Sequence, residues 1–372
     1  MAVPTTPNGP AMTHVRHGLR RSVAAVSLAL LTVVAGCGSG PEAGPANAAR
    51  PAAADPNDPL KPFPLAARTT VKASVSGKLE SFLSLFMADA MGEFEKENID
   101  LELATVPPSE ATVLLAQGQI DLVPASSSAG QFNLLSQSDD VRAVFPLSAE
   151  APDSQVGFWI RKDALGGDGF QPADLRGRRV LTPSGSGSLS VAYFGATELA
   201  PAGVGAKDVT WERFGVGESA LALTNGSAEA ALVLTPFWSV VAADGCCEYV
   251  DGYPRSTFSH FYFGPNLLND KPDVGQAVIR ALARTVTTYL QGDYHKDPVI
   301  GPKTAELLQQ PVDQLQKLPS PVWDPTFPMD IERLQELQVF FRDAGQLSYQ
   351  EPLSRNDVLD DRFVAPIKAA RR

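Results

Sequence analysis

The sequence contains two similar stretches, LLAQGQID at residues 114–121 and ALTNGSAE at residues 222–229. In each, the end of a helical pattern is followed by a glycine, the residue that most readily adopts the left-handed turn closing a helix. An acidic residue lies three positions after the glycine, and a short apolar strand and a polar loop come next. A pattern repeated in this way predicts two α/β units of like topology.

Strand and helix patterns alternate around these stretches. Residues 71–75 and 99–103 alternate between polar and apolar side chains, and residues 79–96 between them have apolar residues at helical spacing. The second half repeats the order, with a strand predicted at residues 179–182 and a helix at residues 189–199. Such alternation predicts a mixed, mostly parallel sheet with helices on its faces in each unit.

The chain is expected to cross between the units twice, at strand patterns in residues 156–160 and 258–263. We therefore predict a discontinuous first lobe, residues 69–157 plus 259–372, and a second lobe at residues 158–258. Helices rich in Gln, Ala and Leu are predicted to complete the first lobe at residues 274–290, 302–309 and 330–344.

The amino terminus has the pattern of a lipoprotein signal peptide, predicted at residues 1–36. Three arginines at residues 16–21 precede an apolar stretch at residues 22–34, which is shorter than the roughly 20 residues that span a bilayer. VAGC at residues 34–37 resembles the bacterial lipobox, in which the cysteine, here Cys37, is lipidated after cleavage. An ordinary signal peptide that happens to contain a cysteine is the alternative.

Residues 37–68 follow as a predicted flexible tether, rich in proline and alanine and without a periodic apolar pattern. A tether behind a doubly acylated cysteine predicts a bacterial protein anchored on the outer face of the cytoplasmic membrane. The residues before Met12 have no role in this scheme, so either Met1 or Met12 is the start of the chain.

Composition excludes several functional classes. With Lys+Arg 31 and Asp+Glu 42 the formal net charge is −11, and so acidic a chain without a basic tract is a poor partner for nucleic acid. Three cysteines cannot build a disulfide scaffold or a four-cysteine zinc site. Beyond the signal peptide the only histidines are His260 and His295, so we expect no metal site and no cofactor.

Several motifs occur in a fixed order: the lipobox, the two glycine–acid stretches, WIRKDA at residues 159–164, DLRGRRV at residues 174–180 and TPFW at residues 235–238. In this order, residues 69–344 resemble the solute-binding lipoproteins of ABC importers, in particular the group that serves sulfonates, nitrate and thiamine-precursor pyrimidines. The resemblance implies a two-lobed type II periplasmic-binding fold with a ligand cleft between the lobes. It also implies a small solute, a permease with its ATPase as partners, and a monomer.

The sequence departs from that family at two points. Relatives often have WDPY where this chain has TPFW at residues 235–238, so the family acid is missing there. The first loop also lacks an aromatic residue after Gly77. Both departures leave the ligand class open.

Candidate binding residues lie in the loops that follow the predicted strands, where open α/β sheets bind ligands. Glycines and serines before a helix free backbone N–H groups, which suit sulfonate, nitrate or carboxylate oxygens. The candidates are Ser76, Gly77, Lys78, Ser126, Ser127, Ser128, Ser184, Gly185, Ser186, Gly187, Ser188, Thr235, Phe237, Trp238 and Asn266. Neutral donors from Ser127, Ser186 and Thr235 are expected to hold the ligand oxygens.

Structural roles are open for the same residues. The loop at residues 184–188 has the composition of a flexible connection. The sequence is equally consistent with Lys78 as a ligand-binding residue and as a solvated surface lysine. Phe237 and Trp238 either cap the pocket or pack in the core.

No catalytic constellation stands out, and we expect no enzyme. Ser186 does not lie in a Gly-x-Ser-x-Gly elbow, and His260 among aromatic residues is typical of a packed histidine. The expected function is capture of a small anion for an ABC importer. The alternatives are a receptor for a thiamine-precursor pyrimidine, a lipid-anchored enzyme on the same fold, and a surface adhesion or sensor module.

Cys246 and Cys247 are adjacent, and two states are open for them. Neighbouring Cα atoms are about 3.8 Å apart, closer than the roughly 4.4–6.8 Å of ordinary disulfides, so a vicinal bond is strained. The other state is a pair of reduced, packed thiols.

Overall fold

The computed structural model describes residue 55 and residues 58–167 and 169–369. The predicted signal peptide, Cys37 and the tether as far as residue 54 lie outside the described residues.

The described residues form ten strands in two sheets. The strands are β1 (Thr69–Val75), β2 (Ile99–Thr105), β3 (Leu122–Ser126), β4 (Arg142–Pro146), β5 (Gly157–Arg161), β6 (Arg179–Thr182), β7 (Thr210–Arg213), β8 (Ala230–Val233), β9 (Cys247–Val250) and β10 (Ser259–Phe263). Their order is β2-β1-β3-β10-β4 in the first sheet and β7-β6-β8-β5-β9 in the second.

Both sheets are mixed in the same way. β1 pairs in parallel with β2 and β3, and β6 pairs in parallel with β7 and β8. β10 and β5 run antiparallel to both of their neighbours. One strand in each sheet therefore runs against the other four, and the predicted two-part α/β class is confirmed.

Helices connect the strands and cover the sheets. They are α1 (Leu83–Ala90), α2 (Pro108–Ala116), α3 (Ala129–Leu135), α4 (Leu189–Phe194), α5 (Val216–Thr224), α6 (Trp238–Asp244), α7 (Pro272–Tyr289), α8 (Ile300–Leu308), α9 (Val312–Leu315), α10 (Ile331–Asp343), α11 (Arg355–Val358) and α12 (Ala365–Ala369). The three helices predicted near the end of the chain correspond to α7, α8 and α10, with bounds within two residues.

Two predicted helices are shorter than expected. The helix predicted over residues 79–96 is α-helical only in α1, because Gly92 adopts the left-handed conformation at φ +70° and stops it. The helix predicted over residues 189–199 leaves the α-helical form after Phe194 and continues as a wider π-helical turn over Gly195–Leu199. The spacing of apolar residues alone predicts neither the early end of α1 nor the π-helical turn after α4.

Helix α7 contains two arginines, one turn apart, in a network of buried charges. The guanidinium of Arg280 lies 2.5 Å from a carboxylate oxygen of Glu97, and Arg284 contacts Glu97 at 2.5 Å and Glu93 at 2.7 Å. Arg280 is 2% exposed and Glu97 is 0% exposed. Buried charges that are paired and hydrogen-bonded in this way hold α7 against the segment that precedes β2.

The same arginines hold the described end of the predicted tether. Arg280 donates to the carbonyl oxygen of Phe63 at 2.9 Å, and Arg284 donates to that of Leu60 at 2.9 Å. Leu60 and Leu65 also pack against the core. Residues 60–65 are thus part of the packed structure.

Among the described helices, none combines the length and apolarity that a membrane span requires.

Candidate functional site

A cavity of about 450 Å³ lies between the two sheets. Residues at or just after the carboxyl ends of β1, β3, β4, β6 and β8 line it, and so does Ser259 at the start of the antiparallel β10. The two sheets therefore direct the same kind of edge toward one partly open cavity, as expected for ligand sites of open α/β sheets. The volume falls within the range of about 300–1,000 Å³ typical of small-molecule sites.

Hydroxyl groups dominate the polar part of the cavity wall. They belong to Ser74, Ser76, Ser81, Ser109, Thr112, Ser126, Ser128, Ser148, Ser184, Ser188, Ser190, Thr235, Tyr253, Ser256 and Ser259. Two of them cap helices: Ser128 Oγ accepts from the backbone N–H of Gln131 at 3.2 Å, and Ser188 Oγ accepts from that of Val191 at 3.2 Å. The backbone N–H groups of Gln131 and Val191 are therefore already hydrogen-bonded within the chain, although the sequence predicts that N–H groups of this kind bind the ligand.

The structure brings seven of the sequence-derived candidates to the wall. They are Ser76, Ser126, Ser128, Ser184, Gly187, Ser188 and Thr235. The other eight do not line the cavity: Gly77, Lys78, Ser127, Gly185, Ser186, Phe237, Trp238 and Asn266.

Local contacts explain why several candidates lie elsewhere. Ser127 is fully buried, and its hydroxyl pairs with the Tyr262 hydroxyl at 3.2 Å. The ammonium of Lys78 lies 4.6 Å above the ring of Phe86. Asn266 donates from Nδ2 to the Gly118 carbonyl at 2.9 Å and to Asp121 at 2.7 Å, so it ties together the first glycine–acid stretch.

The serine–glycine loop and the TPFW motif also have structural roles. Gly185 is left-handed at φ +61° and opens a 3-10 turn, and its carbonyl accepts from Thr182 Oγ1 at 3.0 Å. The Ser186 carbonyl accepts from Gln346 Nε2 at 3.0 Å. Trp238, at the start of α6, is buried in the core of the second sheet, and Phe237 packs against the same core.

Two acidic residues line the cavity that sequence reasoning did not single out, Glu80 and Glu150. Glu80 is 1% exposed. Its Oε1 accepts from the Tyr294 hydroxyl at 2.8 Å and from His295 Nε2, while its Oε2 has no hydrogen-bond partner among the described residues. Neither residue belongs to a motif, and the partners of Glu80 are more than 200 positions away.

His295 is positioned to balance the charge of Glu80. Its Nδ1 lies 2.9 Å from the Leu318 carbonyl, which can only accept, and its Nε2 contacts Glu80 Oε1. Burial alone would lower the pKa of His295, but the hydrogen bond and charge of Glu80 raise it above the ordinary value. The contact with Glu80 therefore favours the protonated form of the His295 ring.

The carboxyl group of Glu150 is a weaker acid than an ordinary glutamate side chain. Burial, reinforced by the nearby charge of Glu80, raises its pKa to about 7. Opposing this, Ser154 Oγ donates to Glu150 Oε2 at 3.0 Å and Thr235 Oγ1 lies 3.5 Å from the same atom, and the Arg255 charge also lowers the pKa. Strongly shifted carboxyl groups in clefts are typical of functional sites.

Positive charge is scarce on the described part of the wall. Arg213 is the one Lys or Arg among the described lining residues, and it is exposed. Its guanidinium donates to Ser109 Oγ at 3.2 Å, which links β7 of the second sheet to α2 beside the first. Within the described residues, no group of three or more His, Cys, Asp or Glu side chains could hold a metal ion.

His260 and the cysteine pair lie away from the cavity wall. His260 is 1% exposed, and burial lowers its pKa to about 4, so its ring is neutral at physiological pH. The sulfur atoms of Cys246 and Cys247 lie together as a vicinal pair, at the start of β9. Oxidation of that pair in the protein stays a prediction.

Comparisons with known proteins match this architecture. A family model described as NMT1/THI5 like matches residues 80–290. No curated protein sequence matches this chain.

Solved structures share the fold. A protein from Bordetella bronchiseptica has a TM-score of 0.62 at 19% identity, covering 82% of this chain and 98% of its own. The nitrate-binding protein NrtA from Synechocystis has a TM-score of 0.61 at 12% identity, covering 82% and 90%. The alkanesulfonate-binding protein SsuA from Xanthomonas axonopodis, bound to MOPS, has a TM-score of 0.58 at 16% identity, covering 79% and 99%.

Proposed function

Because the chain belongs to the NMT1/THI5-like family, we propose that it is an extracytoplasmic solute receptor of an ABC importer, anchored by lipid at Cys37. The observation that carries the proposal is the cavity between two α/β sheets of like topology. The structural neighbours include proteins that bind nitrate and an alkanesulfonate, which supports capture of a small solute and delivery to a permease with its ATPase.

The connections between the sheets suit a receptor that closes on its solute. The chain passes from β4 to β5 and returns from β9 to β10, so the links between the two sheets lie side by side beside the cavity. Away from these links, the Arg213–Ser109 and Gln346–Ser186 hydrogen bonds join the two parts. Opening the cavity would break these two hydrogen bonds and the packing of Leu189 and Ala192 against the core of the first sheet.

The wall chemistry favours a receptor over an enzyme. The described lining residues include serines but no histidine or lysine that could activate one as a nucleophile. His295 lies behind Glu80, and both of its ring nitrogens already have hydrogen-bond partners. The hydroxyl-rich wall instead provides neutral hydrogen-bonding groups suited to holding a solute.

A thermal-shift screen tests the receptor function. A solute that binds only the folded chain at 100 times its Kd adds about 2.7 kcal/mol to stability, so a solute of the right class should raise the unfolding temperature by several degrees. Ser76→Trp, which fills part of the cavity, should abolish the shift, whereas Gln137→Trp at an exposed position outside the cavity should keep it. A screen of sulfonates, nitrate, pyrimidines, amines and amino acids that shifts nothing would contradict the proposal.

Lipid anchoring at Cys37 is tested by substitution. The wild-type chain should incorporate labelled palmitate and sediment with membranes, and Cys37→Ala should do neither, because no other cysteine lies at a lipobox. The double variant Cys246→Ala/Cys247→Ala is the matched control and should stay labelled. Label in the Cys37→Ala protein would show that the anchor is elsewhere.

A further inference from the structure

The charges of the cavity wall indicate the class of solute. Resting on the receptor function proposed above, we propose that the solute is an organic cation that presents an ammonium or amidinium group to Glu80 and Glu150. Both carboxyl groups line the cavity, whereas the single arginine among its described lining residues is exposed. This differs from the small anion held by neutral donors that the sequence motifs predict.

Glu80 provides the clearest evidence, because one of its oxygens lacks a partner. Oε1 already accepts from Tyr294 and His295, while Oε2 is buried without a hydrogen bond among the described residues. Buried polar atoms in proteins are nearly always hydrogen-bonded. An N–H group of a solute in the cavity supplies the missing donor, and its positive charge strengthens that bond.

Glu150 adds a second acceptor to the same wall. Both carboxyl groups line the same cavity, and the nearby charge of Glu80 adds to burial in raising the pKa of Glu150. His295 and Arg255 balance part of this negative charge from behind the wall, but on the described wall itself a cation is attracted to the two carboxyl groups, whereas a sulfonate or nitrate is repelled by them.

Two further buried atoms on the wall define the rest of the solute. Ser74 Oγ and Gln131 Nε2 also lack hydrogen-bond partners among the described residues, and both residues line the cavity. An amide N–H donor and a hydroxyl suit a hydroxyl or carbonyl oxygen. The expected solute therefore combines a cationic head with an oxygen-bearing body.

Titration calorimetry at pH 8, where Glu150 is mostly ionised, tests the charge class. The probes are ethanolamine, acetamidine and agmatine as cations, and ethanesulfonate and nitrate as anions. We expect at least one cation to bind, and Glu150→Gln and Glu80→Gln each to weaken it roughly tenfold to a hundredfold, as for bonds to charged groups. The exposed Glu102→Gln is the matched control and should leave affinity unchanged.

The sign of the effect separates this inference from a folding defect. Removing a wall carboxylate should weaken the binding of cations and leave the binding of anions unchanged or tighter. A loosened fold would weaken the binding of both. If Glu80→Gln fails to fold, Glu150→Gln decides, since it leaves the His295 pair intact. An anion that binds the wild type more tightly than every cation, or unchanged cation affinity in Glu150→Gln, would overturn the inference while leaving the receptor function intact. Binding of none of the five probes would overturn the inference, and the wider thermal-shift screen would then decide the receptor function separately.

Discussion

Replacing Glu97 by glutamine is expected to lower the free energy of unfolding by about 3–5 kcal/mol, the cost of breaking a buried ion pair by removing one partner. Glu97 is fully buried and accepts from Arg280, from Arg284 and from the backbone N–H of Phe63 at 3.2 Å. Glutamine keeps the shape but removes the charge that balances Arg280. Urea unfolding followed by circular dichroism measures the change.

The chain offers a matched control for this substitution on the same short 3-10 turn. Glu95 is two residues earlier and exposed, so Glu95→Gln should change stability by less than about 0.5 kcal/mol. Replacing both partners, as in Glu97→Met/Arg280→Met, should recover part of the loss, because an apolar pair removes the desolvation cost of both charges. A Glu97→Gln protein within 1 kcal/mol of wild type would show that the network does not hold α7 in place.

The overall fold could be predicted because it depends on local patterns. The glycine after each helix and the apolar strand that follows recur in both halves, and such patterns report on burial and on backbone conformation within a few residues. Left-handed φ values at Gly118 and Gly226 agree with that argument, at +66° and +77°. The loops at strand ends were located for the same reason, and seven of their residues reach the cavity wall.

The chemistry of the site could not be predicted in the same way, because it depends on contacts between distant parts of the chain. Glu80 lies in a segment with helical apolar spacing, where an acid is ordinarily a solvent-facing residue. In the folded chain it is instead buried in contact with Tyr294 and His295, more than 200 positions later. Conversely, Ser127 lies in the right loop, but its hydroxyl points to Tyr262 and not to the cavity, which spacing alone does not reveal.

Replacing His295 by glutamine is expected to destabilise the chain by about 3–5 kcal/mol at pH 6, because it leaves the buried Glu80 carboxylate without its counter-charge. The loss should depend on pH. The pKa of His295 is raised in the folded chain by Glu80, with a smaller contribution from Asp293. Its protonation therefore adds stability that is fully present below the unfolded value of about 6.5 and is lost as pH rises through the folded pKa.

The difference between the wild type and His295→Gln isolates this contribution. Glu150 also titrates near pH 7. Because its pKa is raised on folding, the folded chain loses stability as the pH rises from about 4.5 to 7. This effect cancels in the comparison, since Glu150 is present in both proteins. The difference in unfolding free energy should therefore shrink from pH 6 to pH 9. A difference that stays constant over that range would show that folding does not raise the pKa of His295.

A double variant connects this prediction to the solute site. Glu80→Leu/His295→Phe replaces the pair by apolar side chains, which often leaves stability unchanged or raises it, so the double variant should be more stable than His295→Gln. If Glu80 were retained only for packing, the double variant would also keep solute affinity. We expect it to lose affinity for the cation, because the unpartnered Oε2 is gone from the wall. A buried carboxylate with one free oxygen destabilises the empty receptor, and the solute that completes its hydrogen bonds accounts for its presence.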